Sequence, residues 1–165
     1  MSLYLYQQQA KEHLQQWKVG ALFMEAGTGK TRVSCELINS VPELDLVVWF
    51  APLRTIKSPV GVASVIDEVN KWSDFKCNTL FVGIESIGSS DRKYLEVLQQ
   101  IKEARKPFVI VDESIKIKNM TAKRTRRLLE ISKYAEYSTV LPCPRTCSTC
   151  GRKWSSYLLL YCRWT

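Results

Sequence analysis

The sequence contains little histidine and no long apolar segment. His13 is its only histidine, and we assign it to a helix surface with no chemical role. No apolar run approaches the roughly 20 residues that cross a membrane, and the first residues lack the pattern of a secretory signal. The sequence therefore predicts a cytoplasmic protein with no membrane partner.

Acidic residues are missing from the end of the chain. Residues 143–165 carry four basic residues and no acid, which is half of the net charge of +8. A polyanion such as nucleic acid would suit the remaining basic cluster, although a solvated helix face is the commoner explanation of such a cluster. Its six members are Lys116, Lys118, Lys123, Arg124, Arg126 and Arg127.

Apolar runs and helix-period segments alternate along most of the chain, which at 165 residues is long enough for one domain. We predict strands at residues 19–24, 46–51, 79–84, 108–112 and 138–141. Helices are predicted at residues 31–38, 62–72, 91–105 and 121–133. Strands buried on both faces and separated by helices form parallel sheets. The predicted fold class is therefore α/β, a three-layer sandwich with a parallel sheet.

A glycine-rich turn follows the first predicted strand. Residues 25–31 read Glu-Ala-Gly-Thr-Gly-Lys-Thr, and a helical pattern follows them. Backbone N–H groups of such a turn, together with a helix N-terminus, bind phosphate. Lys30 would reach the β- and γ-phosphates, and the hydroxyl of Thr31 would hold Mg²⁺. The predicted nucleotide-binding residues here are Ala26, Gly27, Thr28, Gly29, Lys30, Thr31 and Arg32.

Two adjacent carboxylates end the strand predicted at residues 108–112. In a protein with a phosphate-binding loop, an Asp at this point helps to hold Mg²⁺ through its water shell. An adjacent Glu can orient or deprotonate the water that attacks the γ-phosphate. We predict these roles for Asp112 and Glu113, with Lys30 as the third catalytic residue. The alternative is a polar strand end without catalytic function.

A polar run precedes the first strand, around Tyr6, Gln7 and Gln8. A glutamine amide can donate to and accept from the edge of adenine, so Gln7 is a candidate base-binding residue. Taken by itself, the run would be only an amphipathic helix with an exposed polar face.

Together these segments resemble the first RecA-like lobe of superfamily two helicase-like ATPases, most of all the Swi/Snf-type DNA translocases carried by bacteriophages. Tyr6-Gln7 falls at the adenine-reading motif, residues 25–31 match motif I, Phe50-Ala-Pro52 looks like motif Ia, and residues 112–119 are close to motif II. Met24 stands where the complete motif I fingerprint has its first glycine, a replacement common in helicase-type loops. The resemblance covers residues 3–141.

This resemblance implies a P-loop NTPase sheet, ATP and Mg²⁺ as cofactors, and double-stranded DNA as the partner of the parent protein. It assigns residues 1–141 to an ATP-binding lobe and favours DNA contacts by Lys116, Lys118, Lys123 and Arg124. A phage-encoded chain would act in the host cytoplasm. The second lobe, which supplies an arginine finger, is missing from this sequence. We therefore expect nucleotide binding with little hydrolysis by the chain alone, unless a second lobe acts in trans.

Residues 142–165 depart from the family at the position of motif III. Cys143, Cys147, Cys150 and Cys162 could form a zinc site. Alternatively, codons can be chosen for which a shifted frame reads like the segment that follows motif III. We favour an out-of-frame tail over a zinc site. Two further alternatives for the whole chain are a non-catalytic nucleotide-binding remnant and a zinc-stabilised nucleic-acid-binding module.

Overall fold

The computed structural model describes residues 2–25, 27–59, 61–117 and 119–141, without the side chains of Ser114 and Ile115. Its five strands form one parallel sheet in the order β1-β5-β4-β2-β3. The strands are β1 (Val19–Ala21), β2 (Leu46–Ala51), β3 (Asn78–Gly83), β4 (Pro107–Asp112) and β5 (Tyr137–Leu141).

The described part of the chain also contains seven helices, the first of them before β1, and a 3₁₀ turn at Ser114–Ile117. The helices are α1 (Leu5–Gln15), α2 (Lys30–Asn39), α3 (Leu53–Ile56), α4 (Val65–Trp72), α5 (Ile84–Ser89), α6 (Asp91–Glu103) and α7 (Lys123–Ser132). Parallel strands with helices on both faces confirm the predicted three-layer α/β class.

The core is divided by the sheet into two apolar layers. In β2, every residue is buried, and successive side chains of a strand point to opposite faces. Val48 and Phe50 pack in the layer that contains residues of α5, α6 and α7. Val47 and Trp49 pack in the layer that contains residues of α1, α2 and α4. A continuous apolar run such as β2 is thus explained by burial on both faces.

Element boundaries differ from the sequence-based expectations in a few places. The first strand ends at Ala21, three residues early, and the helix expected from residue 62 begins at Val65. The later start has a local cause, because Ser64 Oγ accepts a hydrogen bond of 3.2 Å from the N–H of Asp67 while the Asp67 carboxylate accepts one of 2.9 Å from the N–H of Ser64. This capping box fixes the first turn.

Among the described residues, no helix is both long enough and apolar enough to cross a bilayer. Cys35 is fully buried in the apolar core, and burial raises the pKa of its thiol to about 12. Ala26, Lys118 and the four cysteines of residues 142–165 lie outside the described residues, so the predictions made for them stay predictions.

Candidate nucleotide-binding site

The glycine-rich turn joins β1 to α2 at the carboxyl edge of the sheet. Gly27 and Gly29 have φ angles of 78° and 84°, a left-handed conformation that favours glycine. Helix α2 begins at Lys30, directly after Gly29, so its first backbone N–H groups face the turn. A Cβ on Gly29 would lie 2.5 Å from Nε2 of Gln7. The turn therefore has the backbone shape expected of a phosphate cradle.

The ammonium group of Lys30 lies at the mouth of this turn. Its Nζ donates to the carbonyl oxygens of Met24 and Glu25, at 3.1 and 3.0 Å. Its positive charge also lowers the pKa of Asp112. The two residues that the sequence predicted to share one site are thus electrostatic neighbours at the same edge of the sheet.

Asp112 ends β4 and turns its carboxylate toward the layer that contains α2. Its Oδ1 accepts a 2.8 Å hydrogen bond from the N–H of Glu113. Burial is the largest influence and raises the pKa of Asp112 to about 6, a change that the negative charge of Glu113 reinforces. Lys30 and the nearby indole of Trp49 act in the opposite direction. A partly buried carboxyl with a raised pKa beside a lysine is typical of functional sites.

Glu113 follows in an unusual backbone conformation. Its φ is 48°, which is uncommon for a residue with a side chain. Its Oε2 lies 3.5 Å from a guanidinium nitrogen of Arg54, at the start of α3. Strained residues of this kind are concentrated at functional sites.

Gln7 is almost fully buried, with 3% of its surface exposed, and it contacts the glycine-rich turn directly. Its Nε2 donates to the carbonyl of Thr28 at 2.9 Å, and its Oε1 accepts from the N–H of Tyr4 at 3.1 Å. The hydroxyl of Tyr6 donates to the same Thr28 carbonyl at 3.3 Å. The side chain predicted to read a base is therefore held against the glycine-rich turn, and the sequence did not reveal this contact.

A cleft of about 430 Å³ opens beside the turn. On one side Tyr4 and Tyr6 stack at 5.8 Å, and on the other the guanidinium of Arg32 lies 4.4 Å from the ring centroid of Trp72. Trp72 and Glu68 were not predicted as site residues, and their only sequence signal is their position at the end of an amphipathic helix. The lining residues are Tyr4, Tyr6, Gln7, Gly27, Thr28, Gly29, Lys30, Thr31, Arg32, Glu68 and Trp72.

A larger groove of about 510 Å³ lies between α1 and β1, but it is a poor phosphate site. Most of its lining is apolar, and His13 is its only titratable side chain. The electrostatics thus favour the smaller cleft, where Lys30 and a helix N-terminus lie together.

The residues at the cleft fit a magnesium-bound nucleoside triphosphate. Left-handed glycines, a helix N-terminus and the Lys30 ammonium provide donors for phosphate oxygens. Thr31 in the cleft lining offers a hydroxyl oxygen. Asp112 is outside that lining but is an electrostatic neighbour of Lys30, and it offers carboxylate oxygens. Both are ligand types that Mg²⁺ prefers. Among the described residues, no group of three or more His, Cys, Asp or Glu side chains could hold a metal ion.

Of the predicted DNA contacts, the structure describes Lys116, Lys123 and Arg124, which lie around α5 and α7 on the other side of the sheet. Lys123 Nζ pairs with Asp91 at 2.8 Å, and Lys116 lies 4.0 Å from Glu85. Arg124 packs against Gly88, where an added Cβ would lie 3.0 Å from the Cβ of Arg124. The positive charges of Lys123 and Lys116 are therefore partly offset by Asp91 and Glu85.

Of the comparisons with known proteins, only the one with solved structures found a similar protein. No family model matches the chain, and no curated protein does. Among solved structures, the chain is similar to the Sulfolobus solfataricus SWI2/SNF2 ATPase core in complex with dsDNA, with a TM-score of 0.58 and 16% sequence identity. The match covers 98% of this chain and 36% of that one, so the chain spans about a third of that neighbour. The likeness establishes a RecA-like fold.

Proposed function

We propose that this chain is the ATP-binding lobe of a DNA-dependent ATPase of the Swi/Snf translocase type. The observation that supports this most is that the charge of Lys30 acts on the carboxyl of Asp112, which shows that the two side chains are close. Two segments more than eighty positions apart in the sequence bring the ammonium group of Lys30 and the partly buried carboxylate of Asp112 to the same edge of the sheet as the left-handed glycine turn. The similar core from Sulfolobus was determined with double-stranded DNA, which supports the same partner for the parent of this chain.

In this proposal, the loop N–H groups and Lys30 bind the β- and γ-phosphates. Thr31 and Asp112 hold Mg²⁺, which would neutralise phosphate charge. Glu113 lies beside Asp112 and would orient the attacking water. Gln7 and Arg32 border the cleft where the base would lie. Stabilisation of the transition state in such enzymes also needs an arginine finger, which a second lobe would supply in trans or in a longer parent.

The direct test is a titration of the purified chain with fluorescent ATP, with and without Mg²⁺. We expect saturable binding that Mg²⁺ strengthens and that Lys30→Ala weakens at least ten-fold. Lys76→Ala is the matched control, since Lys76 is exposed at the start of β3, at the opposite edge of the sheet. Equal affinities for the Lys30 and Lys76 variants would refute nucleotide binding at this loop.

Hydrolysis and DNA dependence need a separate measurement. We expect little ATP turnover from the chain alone and no large stimulation by duplex DNA. Adding the second lobe of a related translocase should restore turnover if the lobes act in trans. DNA-stimulated turnover of the isolated chain that Lys30→Ala abolishes would instead show an independently active enzyme. If neither the chain alone nor the chain with an added second lobe binds nucleotide, the zinc-stabilised nucleic-acid-binding module is the remaining candidate function. Zinc analysis of the purified chain tests it.

A further inference from the structure

Trp49 carries a polar group that core packing does not explain. The residue lies in the middle of β2 and is fully buried. Its indole nitrogen makes no complete hydrogen bond with any described residue. Buried N–H groups in proteins nearly always have a partner, and an exception calls for an explanation.

The sheet register directs this indole toward Asp112. Trp49 is paired with Ile110 of β4, and both belong to the layer that contains α2. Side chains alternate along a strand, so Asp112, two residues after Ile110, lies on the same face. The indole of Trp49 is also near enough to lower the pKa of the Asp112 carboxyl. The unpaired donor and the carboxylate are therefore diagonal neighbours across two adjacent strands.

We infer that Trp49 is a positioning residue for the magnesium-binding carboxylate, and that its indole N–H donates to Asp112 when the nucleotide site is loaded. This inference rests on the proposed function, because it requires Asp112 to bind Mg²⁺. The N–H of Glu113 already occupies Oδ1 from one direction, at 2.8 Å. A carboxylate can accept several hydrogen bonds, so a second donor from the core would fix the orientation of the carboxylate toward the loop. Ligand-orienting donors of this kind commonly change metal affinity by ten-fold or more.

Trp49→Phe separates this role from packing. Phenylalanine keeps an aromatic ring in the core and removes the N–H. Ile110→Val is the matched control, since it trims a fully buried side chain on the same face of the neighbouring strand. Each variant is titrated with Mg²⁺ at a fixed concentration of fluorescent ATP, and nucleotide binding is also measured without Mg²⁺.

We expect Trp49→Phe to raise the Mg²⁺ midpoint about ten-fold. Its affinity for metal-free ATP and its melting temperature should stay close to those of Ile110→Val. A Mg²⁺ midpoint equal to that of the wild type would overturn the inference. The inference would also be overturned if Trp49→Phe weakened the binding of metal-free ATP as much as it weakened the binding of Mg²⁺. A general disturbance of the site would then explain both losses. Asp112→Asn tests the underlying function, since a wild-type Mg²⁺ response in that variant would refute both proposals.

A second measurement does not depend on whether the Phe variant folds. The wild-type protein is labelled with ¹⁵N at its indoles, and the signal of Trp49 is identified by elimination using Phe variants of the other four tryptophans, Trp17, Trp72, Trp154 and Trp164. Addition of Mg²⁺ with ATP should move this signal in the direction of a stronger hydrogen bond and slow its exchange with solvent. An indole signal that does not change under saturating Mg²⁺ and ATP would contradict the inference.

Discussion

Gln7 and Thr28 are joined by a 2.9 Å hydrogen bond from the side-chain amide of the first to the backbone carbonyl of the second. This bond attaches helix α1 to the glycine-rich turn. Because Gln7 is buried, its loss leaves the N–H of Tyr4 without its partner and leaves the Thr28 carbonyl with only the longer hydrogen bond from the Tyr6 hydroxyl. The conformation of the loop thus depends on a residue 21 positions earlier in the chain.

We expect Gln7→Ala to destabilise the protein by about 1–3 kcal/mol, the cost of unsatisfied buried polar groups, and to weaken ATP binding. Chemical unfolding and a nucleotide titration measure the two effects. Gln9→Ala provides the control, since Gln9 is exposed on the same helix. Equal stabilities of the two variants would mean that water replaces the lost hydrogen bond and that the contact does not support the loop.

The two left-handed glycines of the loop should respond differently to alanine. An alanine at either position must adopt a φ near 80°, which costs about 1–2 kcal/mol. Only Gly29→Ala also places a Cβ 2.5 Å from Gln7 Nε2, while nothing lies within 4 Å of a Cβ at Gly27. Gly29→Ala should therefore be the more destabilising of the two in urea unfolding. Gly29→Ala combined with Gln7→Ala should recover part of the difference, and a strictly additive double variant would contradict the steric explanation.

Much of the fold could be predicted from the sequence because the signals are local. The apolar, β-branched run of β2 is closed by Pro52, and the strand has the predicted bounds Leu46–Ala51. Placing Lys30 near Asp112 needed only the rule that parallel strands bring their carboxyl ends to one edge. The structure places both residues at that edge, and their roles in a nucleotide site stay predictions.

The remaining features depend on contacts between distant segments, which no local pattern encodes. The second hydrogen bond of Gln7 depends on how α1 packs against the loop. The short helices α3 and α5 contain too few residues for a recognisable period. Trp49 looks like any core aromatic in the sequence, and only the register of β2 against β4 brings its N–H near Asp112. The left-handed backbone of Glu113 has no residue-type signal, since such positions favour glycine.

The raised pKa of Asp112 predicts a distinctive pH dependence of stability. Its folded value is about 6, against an ordinary value of 3.8, so the folded protein binds this proton more tightly than the unfolded chain. The resulting stabilisation is fully present below pH 3.8 and is lost as the pH rises through 6. In the absence of nucleotide, Asp112→Asn should therefore be more stable than the wild type above pH 6, by at most about 3 kcal/mol, and nearly equal to it at pH 4.

Urea unfolding of both proteins between pH 4 and 8 measures this difference. Asp74→Asn serves as the control because Asp74 is an exposed carboxylate in the segment between α4 and β3. A constant difference between Asp112→Asn and the wild type across this range would contradict a raised pKa. The same ionisation is needed for Mg²⁺ binding, so the Mg²⁺ dependence of ATP binding should weaken as the pH falls below 6.

Asp91 controls how much of the positive charge near α7 is available to a polyanion. It accepts hydrogen bonds from Lys123, at 2.8 Å, and from Arg127, and these partners lower the pKa of Asp91 to about 2. The carboxylate therefore stays ionised and offsets their charge at all ordinary pH values. If Lys123 contacts DNA, Asp91→Asn should strengthen binding to duplex DNA several-fold at low salt.

The salt dependence distinguishes this effect from a change in structure. Releasing one lysine to contact a phosphate should make the slope of log affinity against log salt steeper by about 1. Fluorescence anisotropy with a labelled duplex at several salt concentrations measures the slope, with Asp74→Asn as the charge-matched control. Combining Asp91→Asn with Lys123→Ala should remove the part of the gain that comes from Lys123, and any gain that remains would come from Arg127, the other partner of Asp91. Unchanged affinity and slope in Asp91→Asn would exclude Lys123 from the DNA-binding surface and leave α7 as a solvated helix.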